Sequence, residues 1–275
     1  MPELPEVETV KKGLQECIIG EEIAYVTVYY DRIIQNTTVT DFCKSFIGQK
    51  IVDVKRKGKY LIFIFQDVIL VSHLRMEGKY FIRHQEEKAK HEHIIFGFIS
   101  GKTLRYHDTR KFGTMELFLT TNLKEILKQK PLVNLGKEPL EPDFNGTYLH
   151  QKLLKSKRPL KSVLLDQTIV SGLGNIYANE VCFYAHLNPS QPVNTLTSED
   201  FQNIAISAKK VIIKAISLGG TTIRTFVNAH EISGRFQNEL MVHMRKKCCI
   251  CGGEITKEFV GGRGTYYCKN CQKMR

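Results

Sequence analysis

Between Ile23 and Leu119, short apolar runs alternate with polar positions and are cut by Gly, Asp and Asn. The segments Ile23–Tyr30, Ile51–Arg56, Tyr60–Phe65, Val68–His73, Lys79–Arg83, His93–Ile99, Thr103–His107 and Thr114–Leu119 read as strands. Many short strands separated by turn residues predict a β-sandwich or barrel. Ahead of them, Pro5 to about Gln15 reads as a helix, with proline in its first turn and acids early. From Leu123 onward the period becomes helical. Asn175–Ala185 and Ser198–Leu218 are the clearest cases, the latter placing Ile204, Ala208, Val211, Ile212 and Ala215 on one face. Leu187–Thr197, with Pro189 and Pro192, reads as a loop.

Composition adds a partner class. The chain has 275 residues, a length that suggests about two domains and a core large enough to need no disulfide staples. Its longest unbroken apolar run, Tyr60–Phe65, falls far short of the ~20 residues of a membrane span. No apolar stretch follows Met1, and Glu3, Glu6 and Glu8 are wrong for a targeting peptide, so a cytoplasmic location is expected. Lys and Arg number 40 against 28 Asp and Glu, a formal net charge of +12. That excess suits a polyanion, nucleic acid before membrane. It is concentrated in Lys152, Lys155, Lys157, Arg158 and Lys161, and again after Met244. Charge alone fits a solvated basic surface equally well.

The cysteines are more specific. Cys17, Cys43 and Cys182 are scattered and read as small core residues. Cys248-x2-Cys251 and Cys268-x2-Cys271 are separated by sixteen residues. Two such pairs, each on a tight turn, supply a tetrahedral four-thiolate shell for one zinc ion. Disulfides are the weaker alternative without a secretory signal. Four protein ligands leave no open position, so the zinc is expected to be structural. Cys249 is left over. Ile255–Phe259 and Thr265–Tyr267 read as a hairpin around residues 261–264, a zinc ribbon with Arg263 near its tip.

The chain opens Met1-Pro2-Glu3-Leu4-Pro5-Glu6. A small residue at position 2 favours removal of Met1, which would leave the secondary amine of Pro2 at the terminus. An α-amino group titrates near ~8, against ~10.4 for a lysine, so its free lone pair is far more available at neutral pH for attack on an electrophilic sugar carbon. Glu3 would stand beside it as a general acid. The same residues also read as an ordinary acidic helix start.

The opening Pro2-Glu3-Leu4-Pro5-Glu6-Val7-Glu8-Thr9 closely resembles that of the formamidopyrimidine-DNA glycosylases, bacterial enzymes that excise oxidised purines. The resemblance recurs at Arg56-Lys57-Gly58-Lys59-Tyr60-Leu61, His73-Leu74-Arg75-Met76, His107-Asp108-Thr109-Arg110-Lys111-Phe112-Gly113 and Gly172-Leu173-Gly174-Asn175-Ile176-Tyr177, and in the four-cysteine ribbon. It covers essentially the whole chain, in order. It implies an α+β multidomain fold: an N-terminal β-sandwich with a leading helix over residues 1–122, a helix–two-turn–helix domain over 123–240, and a zinc ribbon over 241–275.

The resemblance also implies roles. Pro2 would attack C1′ of the damaged nucleotide, expel the base and form an iminium. Glu3 would protonate the opening sugar, Glu6 would support the site, and Lys59 would serve lesion handling and β-elimination. Arg263 would hold the phosphate near the lesion and serve δ-elimination. Met76, Arg110 and Phe112 would fill the gap left by the flipped base. His73, His91, Lys161 and Asn175 would be further DNA contacts, with Asn175 capping a helix whose N-terminus suits a phosphate. Lys59 otherwise reads as a strand-edge lysine, Arg263 as a surface hairpin residue, and His91 with His93 as a second metal pair. The partner is duplex DNA carrying oxidised bases, and a monomer is expected.

The chain departs from the family at Val242-His243-Met244-Arg245-Lys246-Lys247-Cys248. There a Tyr is replaced by His243, a Gly by Met244, and the lead into the ribbon is shorter. Residues 219–237 match a segment that closes over the flipped base, and their glycines suit a mobile lid. Two alternatives stand: an endonuclease VIII-like enzyme for oxidised pyrimidines, against which Leu4 speaks, and a damaged-DNA-binding relative without chemistry.

Overall fold

Proline in a first turn gives up no helical hydrogen bond, and α1 (Leu4–Ile18) begins with Pro5 there. Leu4, Val7, Val10, Leu14 and Ile18 form its buried face. The computed structural model describes residues 1–84, 87–221 and 234–274, and the backbone alone at 225–226 and 231–232. The chain divides into two units, Met1–Val133 with Thr222–Gly234, and Asn134–Thr221 with Arg235–Arg275.

In the first unit, α1 is followed by β1 (Ile23–Val28), α2 (Val39–Phe46), β2 (Ile51–Lys57), β3 (Tyr60–Phe65), β4 (Ile69–His73), β5 (Lys79–His84), β6 (Glu92–Phe98), β7 (Lys102–His107), β8 (Thr114–Phe118) and the short α3 (Leu123–Ile126). The strands pair antiparallel in two four-stranded sheets, ordered β1-β6-β7-β5 and β2-β3-β4-β8. One core takes residues from both sheets and from α1, among them Val7, Phe63, Tyr80, Phe96, Leu104 and Met115. This is the expected sandwich with its leading helix, and the strand ends lie within two residues of those read from the sequence.

Helix α2 is absent from the sequence-based expectation. Thr38 caps it by accepting the Asp41 N–H at 3.1 Å, and Phe42 and Phe46, one turn apart, face the core.

The second unit contains α4 (Gly146–Leu153), α5 (Leu160–Leu164), α6 (Asn175–Tyr184) and α7 (Ser198–Ser217). Helix α7 starts from a capping box: Thr197 Oγ1 accepts from Asp200 N at 3.2 Å, and Thr197 N donates to Asp200 Oδ2 at 2.9 Å. Ile204, Ala208, Val211, Ile212 and Ala215 are buried, as their spacing predicts. Of the expected lid, the paired backbone of β9 (Thr225–Phe226) and β10 (Glu231–Ile232) is described, and residues 222–224, 227–230 and 233 lie outside the described residues. The ribbon follows as β11 (Ile255–Val260) and β12 (Arg263–Cys268), antiparallel. Gly261 and Gly262 at its tip both have positive φ, 56° and 73°, which a tight two-residue hairpin demands.

Candidate active site

The N-terminal segment is held from inside. Pro2 is buried, and Glu3 and Glu6 are each 2 % exposed. Glu6 Oε2 accepts the backbone N–H of Glu3 at 2.9 Å, one half of a reciprocal capping box with the Glu3 side chain. The Glu6 carboxylate thus fixes the backbone on which Pro2 and Glu3 sit. One turn further on, Arg56 Nε donates to Glu8 Oε2 at 3.0 Å, and its Nη1 donates to Gly58 O at 2.9 Å. Burial would raise the Glu8 pKa, but hydrogen bonds from Lys11 and Arg56 outweigh it and hold the carboxyl below its ordinary range. Arg56 therefore ties α1 to the two-residue β2–β3 turn, Gly58–Lys59. Lys59 is 5 % exposed, so it is not a solvated strand-edge lysine.

His73 ends β4 and is 8 % exposed. Its Nδ1 accepts the Arg75 N–H at 2.8 Å, which leaves the proton on Nε2. Burial, with Arg75 and Lys59 nearby, pushes its pKa from 6.5 down to about 3. The imidazole is thus a neutral donor, oriented by the turn that follows it. Below pH ~6.5 the unfolded chain takes up a proton that folded His73 refuses, so stability drains away as pH falls from there towards ~3. Between about pH 7 and 5 this amounts to about 2 kcal/mol. Unfolding free energies from urea titrations at those two pH values should therefore differ less in His73→Gln than in the parent, by about that amount. An equal acid loss in both would refute the assignment.

The remaining candidates of the first unit lie on turns. Met76 is 36 % and Phe112 53 % exposed, high values for large apolar side chains. Arg110 is exposed, with its guanidinium carbon 4.8 Å from the centre of the Phe112 ring. His91 is half-buried in a left-handed conformation, φ 67°. It packs against His107 and His93 with ring centres 5.7 and 6.5 Å apart. His93 Nε2 is engaged with Asp108 O at 2.8 Å. Among the described residues, the four ribbon cysteines form the group of three or more side chains whose ligand atoms lie close enough together to hold a metal, and His91 with His93 belongs to no such group.

In the second unit Lys161 takes a structural role and one expectation needs correction. Lys161 is fully buried, and its ammonium donates to Gly264 O at 2.9 Å and Thr265 Oγ1 at 2.8 Å. Thr265 Oγ1 in turn donates to Arg263 O at 2.8 Å. Lys161 therefore holds β12 beside Arg263. Arg263 itself is exposed and opens β12, paired with Val260. The correction concerns Asn175: the N-cap of α6 is Gly174, and Asn175 is its first helical residue. Gly174 is still extended, with φ −132° and ψ −159°, and the helix begins at the next residue.

The ribbon fits its metal. Cys248, Cys251, Cys268 and Cys271 bring their sulfurs within 4.8 Å of one another, with Cys248–Cys271 at 3.8 Å and Cys251–Cys268 at 3.4 Å. Zn–S bonds of ~2.3 Å in a tetrahedron require sulfurs about 3.8 Å apart. The donor set, four thiolates, is that of a closed structural site. The lead into the ribbon is organised by Glu180, a residue that no sequence motif singles out. Its buried carboxylate accepts the N–H groups of Met241, Val242 and His243 at 2.7, 3.2 and 2.9 Å. A lone acid directly before the apolar run Val181–Phe183 was the available signal. His243 bonds Asn179 through Nδ1 at 2.7 Å and packs edge-on against Tyr266. Met244 keeps the left-handed conformation that a glycine would adopt freely, φ 59°.

Three family models match in order: the formamidopyrimidine-DNA glycosylase N-terminal domain over residues 1–115, the formamidopyrimidine-DNA glycosylase H2TH domain over 135–227, and the zinc finger found in FPG and IleRS over 245–273. A formamidopyrimidine-DNA glycosylase of Streptococcus pneumoniae is 45 % identical over 276 aligned residues, with 99 % of each chain covered. The chain belongs to the formamidopyrimidine-DNA glycosylase family. The Cytobacillus firmus formamidopyrimidine-DNA glycosylase is 43 % identical, covering 99 % of this chain and all of that one. Among solved structures, wild-type Lactococcus lactis Fpg with N7-benzyl-Fapy-dG DNA superposes with a TM-score of 0.91 at 40 % identity, covering 99 % of this chain and 100 % of that one. A complex of the same protein with abasic-site DNA gives 0.90 at 41 % identity, covering 98 % and 99 %. Membership of this glycosylase family fits the observed α+β fold and the structural zinc in its ribbon.

Proposed function

We propose that the chain removes oxidised purines, 8-oxoguanine and formamidopyrimidines, from duplex DNA and then cuts the strand. The family assignment over the full length carries this reading. The buried Pro2–Glu3 segment braced by Glu6 supports it.

With Met1 removed, the Pro2 nitrogen attacks C1′ of the damaged nucleotide. The N–C1′ bond forms as the glycosidic bond breaks, and the base leaves with its electron pair and a proton. Glu3 donates a proton to the ring oxygen as the sugar opens to the iminium. Loss of a C2′ proton expels the 3′ phosphate by β-elimination, and a second elimination releases the 5′ phosphate. Lys59 serves at the lesion, and Arg263 binds the adjoining phosphate. Met76, Arg110 and Phe112 occupy the vacated stack, with Arg110 meeting the orphaned base. His73, His91, Lys161 and Asn175 are further DNA contacts, and Lys161 also holds β12. Zinc supplies ribbon structure and no step of the reaction. In the cell the substrate is nucleoid DNA, and the enzyme works in the cytoplasm as a monomer.

The test is borohydride trapping on a duplex with one 8-oxoguanine opposite cytosine, followed by mass analysis of the N-terminal peptide. An adduct on Pro2 is expected. A stronger adduct with thymine glycol would shift the lesion class to pyrimidines. Binding without any adduct, from protein lacking Met1, would favour the relative without chemistry.

A further inference from the structure

Two turns carry the wedge side chains, residues 74–78 with Met76 and residues 108–113 with Arg110 and Phe112. Both close against one buried hydroxyl. Tyr106, the last residue but one of β7, is at 0 % exposure, its ring 5.3 Å from that of Tyr80. A Cβ placed on Gly113 would lie 1.6 Å from the Tyr106 hydroxyl oxygen, and one placed on Gly78 would lie 2.5 Å from it. These glycines are required by close approach. Gly78 N donates to Leu74 O at 2.9 Å and closes the first turn.

The second turn is wound around Asp108, also at 0 % exposure. Its Oδ1 accepts the Arg110 N–H at 3.0 Å. Its Oδ2 accepts the N–H groups of Phe112 and Gly113, both at 2.9 Å, and the Tyr106 hydroxyl at 3.3 Å. One buried carboxylate thus satisfies three main-chain donors of the turn and the hydroxyl against which the other turn packs. Buried groups so fully bonded rarely adopt a second arrangement.

We infer that Tyr106 and Asp108 form a rigid joint that sets the spacing between Met76 and the Arg110–Phe112 pair, so that the two wedges enter one base step together. They are positioning residues, acting through the turns they hold. The inference rests on the wedge roles proposed above. It predicts that loosening the joint harms extrusion of a base more than chemistry at a sugar that has no base.

Asp108→Asn keeps the shape but turns an amide NH2 towards main-chain N–H groups. Tyr106→Phe removes the hydroxyl and keeps the ring. Each variant is compared with the parent in single-turnover excision of 8-oxoguanine from a duplex and in cleavage of a preformed abasic site. The fluorescence of a 2-aminopurine beside the orphaned base reports wedge insertion. Misplacement of about 1 Å can cost on the order of a hundredfold. Excision should therefore fall ten- to a hundredfold in Asp108→Asn and in the same direction in Tyr106→Phe, with abasic cleavage falling at least tenfold less. The fluorescence rise on binding should shrink in parallel. Equal losses in both activities, or no loss, would overturn the joint. If Asp108→Asn does not fold, Tyr106→Phe decides alone. A parent protein inactive on both substrates would instead overturn the proposed function, and this inference with it.

Discussion

A chain that keeps a residue ahead of Pro2 should form no trapped adduct and should lose excision by on the order of a thousandfold or more, the scale of removing a nucleophile. In such a chain the Pro2 nitrogen belongs to a peptide bond, and its lone pair is delocalised into the carbonyl. Nothing else about the segment need change. Met1 is 47 % exposed while Pro2 is buried, and Glu6 would still hold the Glu3 N–H. The comparison is a tag fused ahead of Met1 against the processed chain, with duplex binding measured alongside. Affinity should change little while the rate collapses. Pro2→Gly should lie between the two, since it keeps an α-amine in place of the secondary one and frees the backbone that the proline ring restrains. Full activity in the tagged chain would move the nucleophile elsewhere, with buried Lys59 the first candidate.

The site was legible in proportion to how local its chemistry is. The four cysteines declared themselves by spacing, and the shell found is the shell expected. The strands of the sandwich followed from apolar runs bounded by turn residues, because strands such as β4 and β6 are buried along their whole length and read as continuous apolar segments. Helix α2 was not read, although Thr38, Asp41, Phe42 and Phe46 carry a cap and a face. Eight residues are too few for a period to stand out between two strands.

Lys161 has a structural role that the sequence did not show. A lysine in a basic tract is indistinguishable, in sequence, from one whose ammonium is buried on Gly264 O and Thr265 Oγ1, because those partners lie about a hundred residues away. Glu180, whose donors lie about sixty residues on, escaped for the same reason, and Asp108 escaped although its donors lie within its own turn. Each is a carboxylate whose work is to accept main-chain N–H groups, and main-chain donors leave no mark on a sequence.

Cys251→Ser should unfold the ribbon and weaken duplex binding by at least tenfold while the first unit stays folded. The apolar cluster around the metal site is small: Phe183, Val242, Cys248 and Cys268 are its buried members. A two-stranded hairpin is marginal in water, whereas structural zinc contributes about 10–16 kcal/mol of apparent binding free energy at neutral pH, most of which is folding energy for such a module. Replacing one thiolate with a hydroxyl removes that source without touching the helices. The cost to DNA binding follows from charge. Arg245, Lys246, Lys247, Lys257, Arg263, Lys269 and Lys273 all lie in or beside the ribbon. Each of them that no longer reaches a phosphate should flatten the dependence of affinity on salt by about one unit of log–log slope. Zinc content, thermal unfolding and affinity at two salt concentrations check the three links separately. Loss of zinc with unchanged affinity and slope would show that the ribbon is not a DNA-binding face. Retained zinc with an unaltered melt would mean that three thiolates suffice to fold it.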